Sequence, residues 1–289
     1  MGPSVSVCIP TYNGETYIEE AIKSVFSQSY PATEIVVSDD SSVDGTLDIV
    51  QRLRENSPIP IRIFHFSSGG RLAANWNHCI RHARGQYIKF LFQDDRLHPS
   101  SLEALLSVAL LEPAVGMVFG HRYIVTQPEN TAHDRWRATY GDCQRAWTRI
   151  DEINEGKDLL RDPALLSPPL NKVGEPSSVL FLTEALRQLG GFREDMVQLV
   201  DVELYLRLFK HYRVGYLPEV VSDFRLHDAQ ATVSHRKSAT AGREADVLMS
   251  MLLGRDFFWL LAPWVRMKLL LGHHWIGAPY RRYCRWRRR

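Results

Sequence analysis

Two pairs of adjacent aspartates, each directly after an apolar run, constrain this chain most. One run leads into Asp39 and Asp40, and the other leads into Asp94 and Asp95. Both runs are rich in β-branched and aromatic residues, which predicts buried strands. In open α/β sheets, ligands bind outside the carboxyl ends of the strands, and paired carboxylates repel unless a cation or hydrogen-bond donors compensate. The sequence therefore predicts a metal-nucleotide site at this edge.

Residues 5 to 111 alternate between strand and helix patterns, which predicts a mostly parallel sheet with helices on both faces. The first strand is predicted to start at Val5 and to end at Pro10, because proline cannot donate to a sheet ladder. The polar, proline-containing stretch 127–172 is interpreted as a variable insert that shapes a second binding site. Beyond residue 111 the sequence predicts strands over 115–119, 178–182 and 214–217 and helices over 183–189 and 202–211.

The bulk properties are those of an ordinary globular protein. The 289 residues can hold one large α/β domain, alone or with an appendage. Four cysteines without CxxC spacing disfavour a zinc site or a disulfide framework and fit a reducing compartment. The strand pattern begins near the amino terminus, so no signal peptide is expected, and no apolar run approaches the roughly 20 residues that span a bilayer. We expect a cytoplasmic protein, soluble or peripheral.

The carboxy-terminal residues are strongly basic. Residues 281–289 contain six arginines and no acid, and without those six charges the formal net charge of +2 becomes −4. Aromatic side chains share the stretch 256–289, a composition that suits the interface of an anionic bilayer. The alternative is a helix packed on the core with a disordered arginine end. Nucleic acid is not an expected partner, because no RNA- or DNA-binding module accompanies this tail.

Three motifs occur in order along the chain: residues 5–13 (VSVCIPTYN), 36–46 (VVSDDSSVDGT) and 85–95 (GQYIKFLFQDD). Together they resemble the family 2 glycosyltransferases, and the resemblance resumes over 190–194 and 201–207. It implies the GT-A fold, a Rossmann-like mixed sheet flanked by helices, and inverting transfer from a nucleotide sugar. Residues 1–120 would then form the nucleotide-sugar-binding half, 121–240 the half with the acceptor and the catalytic base, and 241–289 a basic helical extension.

The resemblance assigns nucleotide binding to residues at the ends of the first two strands. Pro10, Thr11 and Tyr12 would flank the base, in a turn that lacks the GxGxxG pattern of dinucleotide folds. Asp39 or Asp40 would bind the imide N–H of a uracil or a ribose hydroxyl. The alternatives from the residues alone are an ordinary strand-to-helix turn and helix capping.

Two residues of the segment 71–77 are also expected near the nucleotide. Asn75 falls in the matching family segment. The arginine that commonly precedes it is Ala74 here, so the resemblance leaves Arg71 as its substitute.

The second aspartate pair stands where the family has its DxD-type motif. Gln93 replaces the usual first acid and leaves two carboxylates for Mn²⁺ or Mg²⁺, hard cations that one or two carboxylates and phosphate oxygens hold. We expect Asp95 to bind the metal directly and Asp94 to bind the ribose, the metal or a metal-bound water. Arg225 and His227, in an Arg-x-His segment, would meet the diphosphate or the metal. A purely structural histidine is the alternative.

Asp201 matches the position of the family's catalytic base. Inversion needs a carboxylate that takes the proton of the acceptor hydroxyl as this oxygen attacks the sugar, and the amino-terminal end of the predicted helix 202–211 favours a negative charge. The family usually has an acid before this residue, but Val200 stands there. Glu203 is therefore a rival, and a simple helix cap is the alternative.

The resulting functional prediction is metal-dependent transfer from a UDP-sugar to a saccharide acceptor, lipid-linked in one form, during surface polysaccharide or lipopolysaccharide synthesis. A synthase that loads sugar onto a polyprenyl phosphate and a non-catalytic sugar-nucleotide-binding subunit remain alternatives. A processive synthase is disfavoured, because Gln-x-x-Arg-Trp and membrane helices are absent from the sequence.

Overall fold

The structure is a computed structural model that describes residues 2–126, 130–227 and 240–273. The strands are β1 (Val5–Thr11), β2 (Glu34–Asp39), β3 (Ile61–His65), β4 (Tyr87–Phe90), β5 (Arg96–Leu97), β6 (Val115–Val125), β7 (Ile153–Glu155), β8 (Val179–Leu182) and β9 (Arg213–Arg225). The helices are α1 (Ile18–Phe26), α2 (Thr46–Glu55), α3 (Leu72–His82), α4 (Ser101–Ala109), α5 (Thr131–Tyr140), α6 (Gly156–Leu160), α7 (Thr183–Gln188), α8 (Val200–His211), α9 (Thr240–Leu253), α10 (Arg255–Phe258) and α11 (Pro263–His273).

Within the described ranges, these strands form one mixed sheet in the order β3-β2-β1-β4-β8-β6-β9-β5, and β7 pairs with β9. The first four strands run parallel, whereas β8 is antiparallel to both β4 and β6. The carboxyl ends of β1, β2 and β4 therefore meet at one edge, which brings the two aspartate pairs to the same side of the sheet.

The two faces of the sheet carry separate apolar cores. Along β1, Val7 and Ile9 pack with α1 and α4 on one face, whereas Cys8 packs with α3 and α8 on the other. This alternation follows from the two-residue period of a strand. Helices cover both faces, as the sequence predicted.

β1 continues through Pro10 to Thr11, so the strand end predicted at Pro10 is wrong. The Leu91 amide donates to the Cys8 carbonyl (2.9 Å), and the Asp40 amide donates to the Thr11 carbonyl (2.9 Å). The backbone N–H and C=O groups of even-numbered β1 residues therefore point toward β4. At the level of Pro10, β4 has already ended. The missing amide of Pro10 leaves no ladder bond unmade.

β9 continues past Pro218 and is therefore much longer than the strand predicted over 214–217. The register of β6 on β9 shifts between Gly120 and His121, whose partners are Leu217 and Val220. This irregularity leaves Pro218 without a partner on β6, which is how a strand accommodates a residue with no amide hydrogen.

The stretch 127–172 has more regular structure than its polar composition suggests. It contains α5, β7 and α6, while residues 127–129 lie outside the described ranges. The Asn130 side chain caps α5 by accepting from the amides of Ala132 (3.1 Å) and His133 (3.2 Å). Capping of this kind satisfies amides that have no partner inside the helix.

Helix α8 begins at Val200, two residues earlier than predicted, so Asp201 lies within its first turn. The Glu244 carboxylate of α9 accepts from three consecutive amides just before the helix, those of Val197 (3.0 Å), Gln198 (2.8 Å) and Leu199 (2.8 Å). The start of α8 is thus fixed by a residue that is distant in sequence.

Candidate active site

The turns after β1 and β2 are interlocked and hold unusual backbone conformations. Asn13 (φ 48°) and Ser41 (φ 63°) lie in the left-handed region, which costs about 1–3 kcal/mol for residues other than glycine. The Asn13 amide donates to the Ser42 hydroxyl (2.9 Å), and the Asn13 side chain accepts from the Val43 amide (2.9 Å). These bonds hold both turns in place at the mouth of the site.

Asp39 is fully buried and satisfied internally. Its Oδ1 accepts from the hydroxyls of Thr11 (3.0 Å) and Ser42 (2.6 Å), and its Oδ2 accepts from the Ser42 amide (2.9 Å). Asp40 is partly exposed, and its two oxygens each accept one bond from Ser68, from the amide (2.6 Å) and from the hydroxyl. Each oxygen of Asp40 retains a lone pair, so this carboxylate is the better placed of the two for a ligand.

Tyr12 and Asn75 contact the ends of the neighbouring strands through hydrogen bonds. The Gln93 side-chain amide pairs with the backbone of Tyr12, accepting from its amide (2.8 Å) and donating to its carbonyl (3.0 Å). The Tyr12 ring is 58% exposed and is thus available for stacking. Asn75 is buried, donates to the Thr11 carbonyl (3.3 Å) and accepts from the Ser38 hydroxyl (2.6 Å). Asn75 therefore positions the ends of β1 and β2.

Arg71 lies directly before α3 and is exposed. Its guanidinium pairs with Glu194 (3.0 Å) and donates to the Ser68 carbonyl (3.0 Å). It is therefore linked to the same residue that holds Asp40. Pro10, the remaining predicted pocket residue, is buried inside β1.

Asp94, Arg225 and His227 form one connected group. The Asp94 carboxylate lies 3.0 Å from His227 Nε2, and the Arg225 guanidinium donates to the Asp94 carbonyl (3.0 Å). Arg225 also pairs with Glu20 (2.8 Å) and lies over the Tyr17 ring at 4.4 Å. The structure therefore brings together the predicted residues from the ends of β4 and β9.

Asp95 is a buried carboxylate at this edge of the sheet, with 1% of its surface exposed. Its Oδ1 accepts from the Arg225 amide (3.2 Å), while its buried Oδ2 has no hydrogen-bond partner of good geometry in the part of the chain that the structure describes. Burial raises the pKa of Asp95 well above its usual value, the adjacent Asp94 charge raises it further, and a hydrogen bond from the Ser177 hydroxyl opposes the shift. A buried carboxylate with so few hydrogen bonds of good geometry is costly unless a ligand completes it.

Asp201, the predicted base, lies in the first turn of α8. It is partly buried, and its two oxygens accept from the Val202 amide (2.7 Å) and the Asn171 side chain (2.7 Å). Burial, followed by the Glu175 charge, raises its pKa to about 7. A carboxylate with this pKa can accept a proton near neutral pH and release it again.

Glu203 serves a different purpose. It is 2% exposed and forms a two-pronged pair with Arg207, at 2.9 and 2.6 Å. Arg207 in turn donates to the carbonyls of Leu189 (2.6 Å) and Gly191 (2.7 Å). Glu203 thereby fixes α8 to the turn after α7, and its lone pairs are engaged by the guanidinium. This geometry favours Asp201 over Glu203 as the base.

Sequence reasoning missed the segment between Asn171 and Ser177. Asn171 contacts Asp201, whereas the Ser177 hydroxyl accepts from the Phe92 amide (3.2 Å) and its carbonyl accepts from the buried Lys89. Burial lowers the pKa of Lys89 to about 7, and the Asp95 charge opposes that shift. The segment carries no motif that the sequence pattern isolates, since its partners come from β4 and α8.

Among residues 2–126, 130–227 and 240–273, no three His, Cys, Asp or Glu side chains cluster as a complete metal-binding group. No helix within the same ranges is long and apolar enough to cross a membrane. A Mg²⁺ or Mn²⁺ site of one or two carboxylates plus substrate phosphates needs no such group.

The comparisons with known sequences identify the family. The sequence model described as glycosyl transferase family 2 matches residues 6–166, and this chain belongs to that family. The putative glycosyltransferase EpsE of Bacillus subtilis (strain 168) is 30% identical over 278 residues, 92% of this chain and 89% of its own. The putative teichuronic acid biosynthesis glycosyltransferase TuaG of the same organism is 38% identical over 104 residues, 36% of this chain and 41% of its own.

Solved structures share the architecture. S. aureus TarS 1–349 in complex with UDP-GlcNAc aligns with a TM-score of 0.66 at 18% identity, over 86% of this chain and 65% of that chain. The mannosyltransferase PcManGT from Pyrobaculum calidifontis, in complex with GDP-Man and Mn²⁺, aligns with a TM-score of 0.62 at 22% identity, over 93% of this chain and 70% of that chain. This chain thus spans just under two thirds of TarS 1–349. The predicted GT-A fold is confirmed.

Proposed function

We propose that this glycosyltransferase transfers a sugar, with inversion, from a UDP-sugar to a saccharide acceptor during surface polysaccharide synthesis. The observation that carries the proposal is the difference in environment between two carboxylates on separate elements. Asp95 is buried beside Asp94, and its Oδ2 makes no hydrogen bond of good geometry within the described residues, whereas Asp201 lies on another element and has a pKa of about 7. The first suits a cation and a leaving diphosphate, and the second suits proton removal from an acceptor.

The residues present fit a divalent cation. The buried Oδ2 of Asp95 and the neighbouring Asp94 carboxylate would hold Mn²⁺ or Mg²⁺, with His227 adjacent to Asp94. When bound, the cation neutralises negative charge on the diphosphate. PcManGT was solved with Mn²⁺, which supports a metal in this chain by analogy of fold.

The chain's own residues have distinct tasks in this proposal. Asp201 accepts the proton of the acceptor hydroxyl, while Asn171 and the Val202 amide orient its carboxylate. Arg225 and His227 lie beside Asp94; Arg225 supplies positive charge toward the diphosphate, and both residues supply hydrogen-bond donors. A UDP donor is favoured because a single carboxylate such as Asp40 can accept the one imide N–H of uracil.

A nucleotide-sugar screen tests the proposal. Full-length protein is mixed with UDP-, GDP-, ADP- and dTDP-sugars in Mn²⁺, in Mg²⁺ and in EDTA, and both slow hydrolysis and thermal stabilisation are measured. We expect UDP-sugars to stabilise and turn over only with metal, because the diphosphate and the cation bind together. Equal stabilisation by every nucleotide, or hydrolysis undiminished in EDTA, contradicts the proposal.

Variants of Asp40 and Asp39 should distinguish a residue that recognises the base from one that stabilises the fold. Asp40→Asn should weaken UDP binding by roughly tenfold or more, since a hydrogen bond to a charged group is lost and an amide donor now faces the imide. Asp39→Asn should instead lower the melting temperature, because the buried carboxylate holds Ser42 and Thr11. Calorimetric titration with UDP and thermal melts of both variants measure this. Unchanged UDP affinity in both variants would exclude this pocket.

The described carboxy-terminal helices present apolar side chains outward. α11 buries Val265 and Leu269, yet Trp264, Met267 and Leu270 on the same helix are 52%, 43% and 40% exposed. A surface helix normally turns a polar face to water. Large apolar side chains on the exposed side of α11, in addition to those on its buried side, therefore indicate a further contact.

The charge around this face points to an anionic lipid surface. Arg266 lies over the Trp259 ring and Lys268 over the Trp264 ring, each at 5.3 Å, and no acidic residue follows Asp256 in the sequence. We propose that this face docks the protein on an anionic bilayer, which places it at the cytoplasmic side of a membrane with a lipid-linked acceptor. The arginine-rich residues 281–289 lie outside the described ranges.

Liposome co-sedimentation tests the docking face. The double variant Trp264→Ser with Met267→Ser should lose most binding to vesicles with anionic lipid, and deletion from Ala278 onward should weaken binding mainly at low salt, since exposed charges are screened over about 8 Å at physiological ionic strength. Leu111→Ser, at another surface position with 53% exposure, is the matched control. Full binding by the double variant would refute the proposal.

The division of the chain at residues 120 and 240 remains a proposal. Asp40, Asp94 and Asp95 lie before residue 120, whereas Asp201, Arg225 and His227 lie after it, and β6 runs across that position within the same sheet.

A further inference from the structure

A buried segment joins the two halves of the candidate site. At one end, the Asn171 side chain donates to Asp201 (2.7 Å) and to the Gly174 carbonyl (3.0 Å). At the other end, Ser177 is tied to β4 through Lys89 and through the Phe92 amide. The segment 171–177 therefore runs from the proposed base to the strand that carries the aspartate pair.

Glu175 lies in the middle of this segment. It follows Asn171, which contacts Asp201, by four residues and precedes Ser177, which contacts the Phe92 amide, by two. Burial raises the pKa of both Asp201 and Asp95, and the Glu175 charge adds to both shifts. Its side chain is 20% exposed, in contrast to its ion-pair partner Arg122 at 3%. A partly open carboxylate therefore lies on the segment that joins the proposed base to the end of β4.

Arg122 holds Glu175 in one orientation. This guanidinium comes from β6, pairs with Glu175, and is itself fixed by the Tyr140 carbonyl (2.9 Å) and the Cys143 sulfur (3.1 Å). A buried arginine with fixed partners holds its carboxylate neighbour in one orientation. Such preorganisation is what a recognition site for hydroxyl groups requires.

We infer that Glu175 binds the hydroxyl groups of the transferred sugar and excludes donors with a negatively charged sugar. The inference rests on the proposed function, since the transferred sugar must occupy the space between the diphosphate and the base. An ionised carboxylate accepts hydrogen bonds from neighbouring hydroxyls and repels a uronic acid.

Steady-state kinetics with two matched donors test this assignment. With the neutral UDP-sugar that the wild-type enzyme uses, Glu175→Gln should lower kcat/KM by about tenfold or more with a higher donor KM, whereas the Kd of UDP alone stays unchanged. The preference for UDP-glucose over UDP-glucuronate, compared by donor hydrolysis, should shrink in the same variant. Glu155→Gln removes an exposed ion pair with Arg213 (2.7 Å) and is the control.

The pH profile separates this role from a structural one. The charges facing Asp201 are Glu175 from the 171–177 segment and Arg122 from β6, with the Tyr205 phenol on its own helix. Removing the Glu175 charge should shift the acid limb of kcat to lower pH. Glu175→Asp keeps the charge and should raise the donor KM while leaving that limb in place, which provides a second variant if Glu175→Gln folds poorly.

Several outcomes would overturn the inference. These are a higher acceptor KM with an unchanged donor KM, a loss of UDP affinity that parallels the loss of turnover, and an unchanged preference between the two donors. If the wild-type enzyme turns over no nucleotide sugar at all, the proposed function fails first, and that failure is visible before any variant is made.

Discussion

Asp201→Asn should lose about 10²–10⁴-fold in transfer rate, the usual contribution of a general base, while it binds UDP nearly as well as the wild-type enzyme. The asparagine keeps the shape and can still accept from the Val202 amide, as the carboxylate does at 2.7 Å. It cannot take a proton at neutral pH. Transfer rates and calorimetric UDP titrations of the two proteins measure the difference.

The same residue sets a pH dependence. Its pKa is raised to about 7, mainly by burial, and only the ionised form accepts a proton. kcat should therefore rise with pH through about 7 and level off above it, with a slope of one on the acid side. Asp201→Asn should lack this limb. A wild-type profile that stays flat from pH 5 to 8 would contradict the assignment.

Glu203→Gln is the control for Asp201. Glu203 is paired with Arg207 at 2.6 and 2.9 Å in a buried position, so its loss should lower thermal stability, because the partner charge is left uncompensated. The rate per folded molecule should change little. An active Asp201→Asn beside an inactive, folded Glu203→Gln would move the base to Glu203. Two active variants would favour a phosphate acceptor, which needs no base, and UDP binding without any turnover would indicate a non-catalytic subunit.

Asp95→Asn should abolish metal-stimulated transfer, with a loss of at least about 100-fold, because a bound cation is worth several kcal/mol of charge stabilisation. The variant should fold, since the change keeps the shape and removes repulsion from Asp94 at a carboxyl whose pKa burial already raises. In the wild-type protein, Mn²⁺ with UDP should raise the melting temperature more than either alone. This joint effect should vanish in Asp95→Asn.

Asp94→Asn is the matched comparison, because Asp94 is bonded to His227 (3.0 Å), whereas Asp95 Oδ2 has no good partner in the described residues. We expect an intermediate loss that higher Mn²⁺ concentrations partly restore. If Asp95→Asn retains full activity with metal, or if EDTA leaves the wild-type rate unchanged, the aspartate pair is not the metal site.

The sequence was informative where the chemistry is local. The apolar runs before Asp39 and Asp94 predicted strands β2 and β4, and the alternation of patterns predicted a mostly parallel sheet with helices on both faces. Proline misled the prediction at Pro10, since its effect depends on which neighbouring strand its missing amide faces, and the strand predicted over 214–217 continues past Pro218 to Arg225. The cap of α8 was also unpredictable, because Glu244 reaches it from α9.

The sequence by itself determined the family, the fold class and the identity of the candidate carboxylates, because ordered motifs and strand periodicity are properties of contiguous residues. Only the tertiary structure distinguished those carboxylates from one another. Asp39 is buried and Asp40 is partly open, and Glu203 is engaged by Arg207 while Asp201 has a raised pKa. The structure also showed that Glu175 pairs with Arg122 from β6 and belongs to the segment that joins the two parts of the site. Burial and charge pairing depend on residues that meet in space from distant parts of the chain, and no local pattern encodes them.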